Sequence, residues 1–145
     1  MKTVDTFVLA MAASSLLLAQ KVKLKDVPVP VRQSITEQTK GAQIKSIVKE
    51  TEGGKTLYEV ESVVSGRTRD LMIDSTGSVV TIEEEIALDS LPAAAKSAIE
   101  RLAAGGKISK IESVTSGTKV VYEATILKGK KKSELSVTAD GNLVK

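Results

Sequence analysis

The stretch Gly53-Gly54-Lys55-Thr56-Leu57-Tyr58-Glu59-Val60 returns 64 positions later as Gly117-Thr118-Lys119-Val120-Val121-Tyr122-Glu123-Ala124. A glycine turn followed by alternating apolar and polar residues reads as a hairpin feeding a strand. Working outward, the same offset holds in both directions without a gap. Upstream, Val27-Pro28 matches Leu91-Pro92, Ile35 matches Ile99, Gly41 matches Gly105, and Ile44 and Ile47 match Ile108 and Ile111. Downstream, Leu71, Gly77 and Val80 match Leu135, Gly141 and Val144. A period this long is one supersecondary unit written twice.

Each copy opens with a helix. Asp26 or its neighbour is the expected cap of the first and Ser90 or Asp89 of the second. Pro28 and Pro92 stand in the first turn, where a missing N–H is no loss. Val27, Val31 and Ile35 form the first apolar stripe. Ala95, Ala98, Ile99 and Leu102 form the second. Gly41 and the pair Gly105-Gly106 stop the two helices. Strand character follows at residues 44–51, 56–64, 68–74 and 79–82, and in the second copy at 108–115, 119–127, 133–138 and 143–144. Turns fall at Gly53-Gly54, Ser65-Gly66, Gly77, Ser116-Gly117, Gly129-Lys130 and Asp140-Gly141. The residues from Glu83-Glu84-Glu85 to Ser90 read as a solvated joint between copies.

This predicts an α+β fold: two tandem α-β-β-β-β repeats forming one antiparallel sheet of up to eight strands, with both helices on one face. Tyr58, Val60, Ser62 and Val64 then share the helix-side face of their strand. Leu57, Glu59, Glu61 and Val63 share the other, open to solvent, as antiparallel sheets allow. The expected division is a signal peptide over 1–20, a first repeat over 21–86 and a second over 87–145. A repeat of about 60 residues is marginal alone, so a shared core is expected.

The leader reading rests on Lys2, an apolar run from Phe7 to Leu18, and Ala19-Gln20 before the charged Lys21-Val22-Lys23-Leu24-Lys25. The run is shorter than the roughly 20 residues of a membrane span, so no stable membrane insertion is expected once it is cut.

Composition narrows the function classes. The chain has 145 residues, no His and no Cys. Disulfides, thiol chemistry, the commonest general base and the commonest metal ligand are therefore missing. Only Phe7, Tyr58 and Tyr122 are aromatic, which leaves little ring surface for stacking bases or sugars. A net charge of +3 is milder than a nucleic-acid binder usually concentrates. The adjacent Lys96 and Ser97 point differently around a helix, and no nucleophile elbow or phosphate loop is present. The chain is not expected to be an enzyme, and no cofactor, catalytic residue or metal ligand is assigned.

The order Leu91-Pro92, helix, Gly106-Lys107-Ile108, residues 117–123 and Leu135-Ser136-Val137-Thr138-Ala139-Asp140-Gly141 resembles the PepSY-like domain family. The first copy repeats it through Val27-Pro28, Gly41-Ala42-Gln43-Ile44, residues 54–60 and Asp74-Ser75-Thr76-Gly77. The resemblance covers Val27 to Lys145. It implies small exported bacterial proteins, periplasmic or secreted, whose tandem repeats are similar in fold to the β-lactamase inhibitor protein. It also implies a role in binding or inhibiting proteins, extracytoplasmic peptidases among them. The inhibitor's disulfides have no counterpart in a chain without cysteine.

Candidate binding residues follow from the fold. Glu59, Glu61 and Glu123 are expected on the open face. Tyr58 and Tyr122 are expected to fill the helix–sheet core, and Glu59 and Glu123, which repeat in register along with Lys55 and Lys119, to make cross-strand pairs with lysine. Lys128, Lys130, Lys131 and Lys132 make a basic hairpin tip suited to an acidic partner, and lysines also blunt edge pairing. The expected function is an exported protein-binding module, inhibitor-like or regulatory, docking a protein partner through open face and tips as a monomer or weak dimer. The alternatives are a self-associating envelope protein and a small-ligand or cation binder through Glu59, Glu123 or Glu83–Glu85.

Overall fold

The computed structural model describes residues 19–144; the leader reading falls almost wholly outside them. The elements are β1 (Gln20–Lys21), α1 (Val29–Gln38), β2 (Gln43–Glu52), β3 (Lys55–Val64), β4 (Arg67–Asp74), β5 (Val79–Glu85), α2 (Ala93–Ala103), β6 (Lys107–Ser116), β7 (Lys119–Lys128) and β8 (Lys131–Val137). The eight strands form one antiparallel sheet in chain order. Every neighbour in the sheet is a neighbour in sequence; hairpins make the connections within each repeat, while α1 links β1 to β2 and α2 links β5 to β6.

The duplication is physical as well as textual. Both copies carry a register shift at the same place, between Ile44 and Ser46 against β3 and between Ile108 and Lys110 against β7. Gly77, at φ +89°, lies so close to Pro30 that an added Cβ would stand 2.7 Å from its carbonyl oxygen. Gly141, at φ +79°, repeats this against the Ala94 carbonyl oxygen at 2.6 Å. Only glycine suits both the left-handed backbone and the close approach, so each helix start is seated on the glycine turn of its own repeat.

The cores match position by position. Val31, Ile35, Ile47, Tyr58, Val60, Leu71 and Ile73 are buried in the first repeat. Their counterparts Ala95, Ile99, Ile111, Ala124 and Val137 are buried in the second, with Tyr122 and Leu135 packed against them. Apart from Val114, the buried apolar residues form two clusters, one under each helix, and what the repeats share is the sheet. Tyr58 fills the core as its place on the strand predicts.

Four details depart from the sequence reading. First, the eighth strand comes from Gln20–Lys21, which pairs with Lys49 and Val48. The expected partner at 143–144 is limited to a Val137–Leu143 bridge and a Val144 N–H bond to the Ser136 carbonyl. Second, the N-caps are Pro28 and Pro92, neither with a side-chain cap bond. Single 3₁₀ turns at Leu24–Asp26 and Leu88–Ser90 occupy the expected capping residues, and Asp89 instead accepts from Lys96 at 2.7 Å. Third, Leu102 is exposed and Ala103 is buried in its stead. Fourth, Glu83–Glu85 are not a joint but the end of β5, paired with β4 and β6.

Candidate functional site

Residues opposite one another in an antiparallel ladder share a face. On the face away from the helices, one row across the sheet reads Glu61, Asp70, Glu83, Val114, Val121. The next row reads Glu85, Glu112, Glu123, Ser136. Three carboxylates stand in succession in each row, and Glu59 lies two residues along β3 from Glu61. Like charges directly opposite are destabilising, so the pairing that buries the two cores forces this acidic band onto the open face.

Asp70, Glu83 and Glu112 form its centre, with carboxylate oxygens within 4.8 Å of one another. Glu112 is only 8% exposed although both helices lie on the opposite face; Thr81, Val114 and Thr125 are buried there too. Lys110 supplies the positive charge at this point, paired with Glu112. Burial alone would lower the lysine's pKa, but its bond to Glu112 and the field of Asp70 and Glu85 hold it above the ordinary value. Glu85 accepts from the Thr68 backbone N–H at 3.1 Å and its hydroxyl at 3.3 Å. Glu123 accepts from the Ser136 hydroxyl at 3.2 Å.

The band holds protons more tightly than isolated carboxylates would. Burial, then Glu112, Glu123, Asp70 and Glu59, pushes Glu83 up to about 7. Burial is also the first cause of the upward shifts of Asp70, Glu59 and Glu123. Desolvation and like charge both disfavour the ionised form.

Of the residues expected at a binding surface, Glu59, Glu61 and Glu123 do lie on the open face. Glu59 and Glu123 stand four strand intervals apart, about 19 Å measured across the strands, and in different rows, with Asp70, Glu83 and Glu112 between them. The expected cross-strand pairing with lysine is corrected: Glu59 faces Val48 and Met72, and Glu123 faces Glu112 and Ser136. Lys55 and Lys119 sit four residues away along the same strands, about 13 Å. Lys128, Lys130, Lys131 and Lys132 are exposed at the β7–β8 turn, where Lys132 pairs with Glu134 at 2.9 Å. Asp70, Lys110 and Glu112 were missed because no motif marks them. Their alternation places each on the open face and makes Lys110 and Glu112 neighbours along β6, but only the β5–β6 register brings that pair to Asp70 and Glu83.

No protein-family profile and no curated protein matches the chain. Solved structures do. A candidate periplasmic protein of Bacteroides eggerthii superposes with a TM-score of 0.68 at 15% identity, covering 82% of this chain and 86% of that one. A DUF2874 family protein of Bacteroides ovatus gives 0.64 at 16%, over 82% and 85%. A BLIP-like protein of Bacteroides fragilis gives 0.61 at 18%, over 82% and 84%. At these identities the likeness is one of fold. A BLIP-like architecture is the one the sequence resemblance implied. No helix among the described residues is long and apolar enough to cross a membrane.

Proposed function

We propose that this chain is an exported, non-enzymatic protein-binding module that docks a partner bearing lysine or arginine side chains onto the open sheet face. The observation that carries this reading is the acidic band: two runs of three directly opposed carboxylates on a face that no helix covers. A sheet that served only folding gains nothing from such opposition, and violations of local pairing rules concentrate at functional sites. The β7–β8 lysine tip is a second contact region of opposite sign, suited to an acidic patch on the same partner.

The fold neighbours and the PepSY-like resemblance support the same reading. One neighbour is a candidate periplasmic protein and another is BLIP-like. An extracytoplasmic peptidase is the partner class the resemblance implies, and a periplasmic or secreted location follows from it and from the leader. In this reading the cut falls after Ala19, one residue short of the expected 1–20 leader, so that β1 (Gln20–Lys21) survives in the mature protein.

Capture from envelope extract tests the reading with three baits: wild type, a face variant (Glu61→Gln, Asp70→Asn, Glu123→Gln) and a tip variant (Lys130→Ser, Lys131→Ser). The face variant should lose a partner that wild type retains at low salt, and the tip variant should bind it more weakly. A partner held equally by all three baits would contradict the proposal.

A further inference from the structure

We propose that the β5–β6 strand pair is a proton-sensitive hinge between the two repeats, closed while the Asp70–Glu83–Glu112 cluster holds a proton and loosened when that proton leaves. The inference stands on sheet register and holds whether or not the docking reading does.

The join between the repeats is narrow. Only four register pairs connect β5 to β6: Ile82–Thr115, Glu83–Val114, Glu84–Ser113 and Glu85–Glu112. Inside the repeats β2–β3 and β6–β7 each have nine and β4–β5 has five. The two buried clusters flank the join: one lies under α1 on β2–β4, with Val79 and Ile82 of β5 packed against it, the other under α2 on β6–β8. The buried apolar residue at the join itself is Val114, opposite Glu83 on the open face. On the helix side the join carries Glu84, Ser113 and Thr115 beside Ile82. Its further ties are the Thr81–Ser116 hydroxyl bond at 3.0 Å and the Ile86 N–H bond to the Ile111 carbonyl at 2.9 Å.

Across this join the chain places directly opposed carboxylates. Glu83 is faced from β3 by Glu59 and Glu61, from β4 by Asp70, along β5 by Glu85, from β6 by Glu112 and Lys110, and from β7 by Glu123. Asp70 lies on one side of the join and Glu112 on the other, so their repulsion through Glu83 acts to part β5 from β6. One proton among the three relieves it, and Lys110 offsets one further charge. A carboxyl that titrates at about 7 in the closed sheet, and no lower than the ordinary 4.5 once the join opens because Asp70 stays opposite it, raises the open population by up to about tenfold between pH 6 and pH 8.

Amide hydrogen exchange on the full chain tests this. Protection factors of residues 82–86 and 112–115 should fall severalfold, by up to about tenfold, from pH 6 to pH 8, while amides in the middle of β3 hold theirs. In Glu83→Gln the fall should vanish; Asp70→Asn, read the same way, serves if the first variant does not fold. A pH-independent join in wild type, or an equal fall in wild type and both variants, would overturn the proposal.

Discussion

Glu85 and Glu112 face each other directly across the strand pair that joins the two repeats. Neither neutralises the other. Glu85 is held by the Thr68 backbone and hydroxyl, and Glu112 by Lys110. This arrangement makes Lys110 the keystone of the acidic band. Removing it leaves a carboxylate that is 8% exposed without its cation. Lys110→Met should therefore cost about 1–2 kcal/mol near pH 8. Adding Glu112→Gln should restore most of it, and denaturant melts of the two variants read the difference.

The pH dependence of stability follows from Glu83. Its folded pKa, about 7, lies above the ordinary carboxyl value of 4.5. The folded state therefore holds the proton more tightly than the unfolded one. The stability this provides is fully present below 4.5 and is lost as pH rises through about 7. Glu83→Gln, which cannot ionise, should melt close to wild type at pH 5 and a few degrees above it at pH 8. Equal differences at both pH values would contradict the assignment.

Gly77 and Gly141 should be intolerant in parallel. Alanine at either must accept a left-handed backbone and a Cβ inside contact distance of a helix-start carbonyl. Each substitution should cost about 1–3 kcal/mol. Gly54→Ala, also at positive φ but with nothing within 4 Å of the added carbon, should cost less, and thermal melts of the three rank them.

Separate clusters predict separate energetics. Ile35 and Ile99 are matched positions, each fully buried on the sheet-facing side of its own helix. Ile35→Val and Ile99→Val should each cost about 0.5–1.5 kcal/mol. The double variant should be additive within about 0.5 kcal/mol. Strong coupling in the cycle would point to one shared core.

The fold was legible because its signals are local and occur twice. Tyr58, Val60 and Ser62 alternate against Leu57, Glu59 and Glu61, and the glycine turns stand where the hairpins close, so strand order and faces follow. The ends were less legible. Gln20–Lys21 has no strand pattern, and its pairing depends on an edge left open by β2. Glu83–Glu85 read as a joint because three consecutive carboxylates lack apolar alternation; tertiary pairing with Arg69, Thr68 and β6 overrides that. The site was half legible: periodicity places Glu59, Glu61 and Glu123 on the open face, but the cluster of Asp70, Glu83 and Glu112 arises from register between strands far apart in sequence.

The measurement that bears most directly on the docking claim is carboxylate footprinting of the full chain alone and in its captured complex. Glu59, Glu61, Asp70, Glu83 and Glu123 should lose labelling in the complex, while Glu37 and Glu100 on the helices keep theirs. Protection on the helices with the sheet face still labelled would contradict the account.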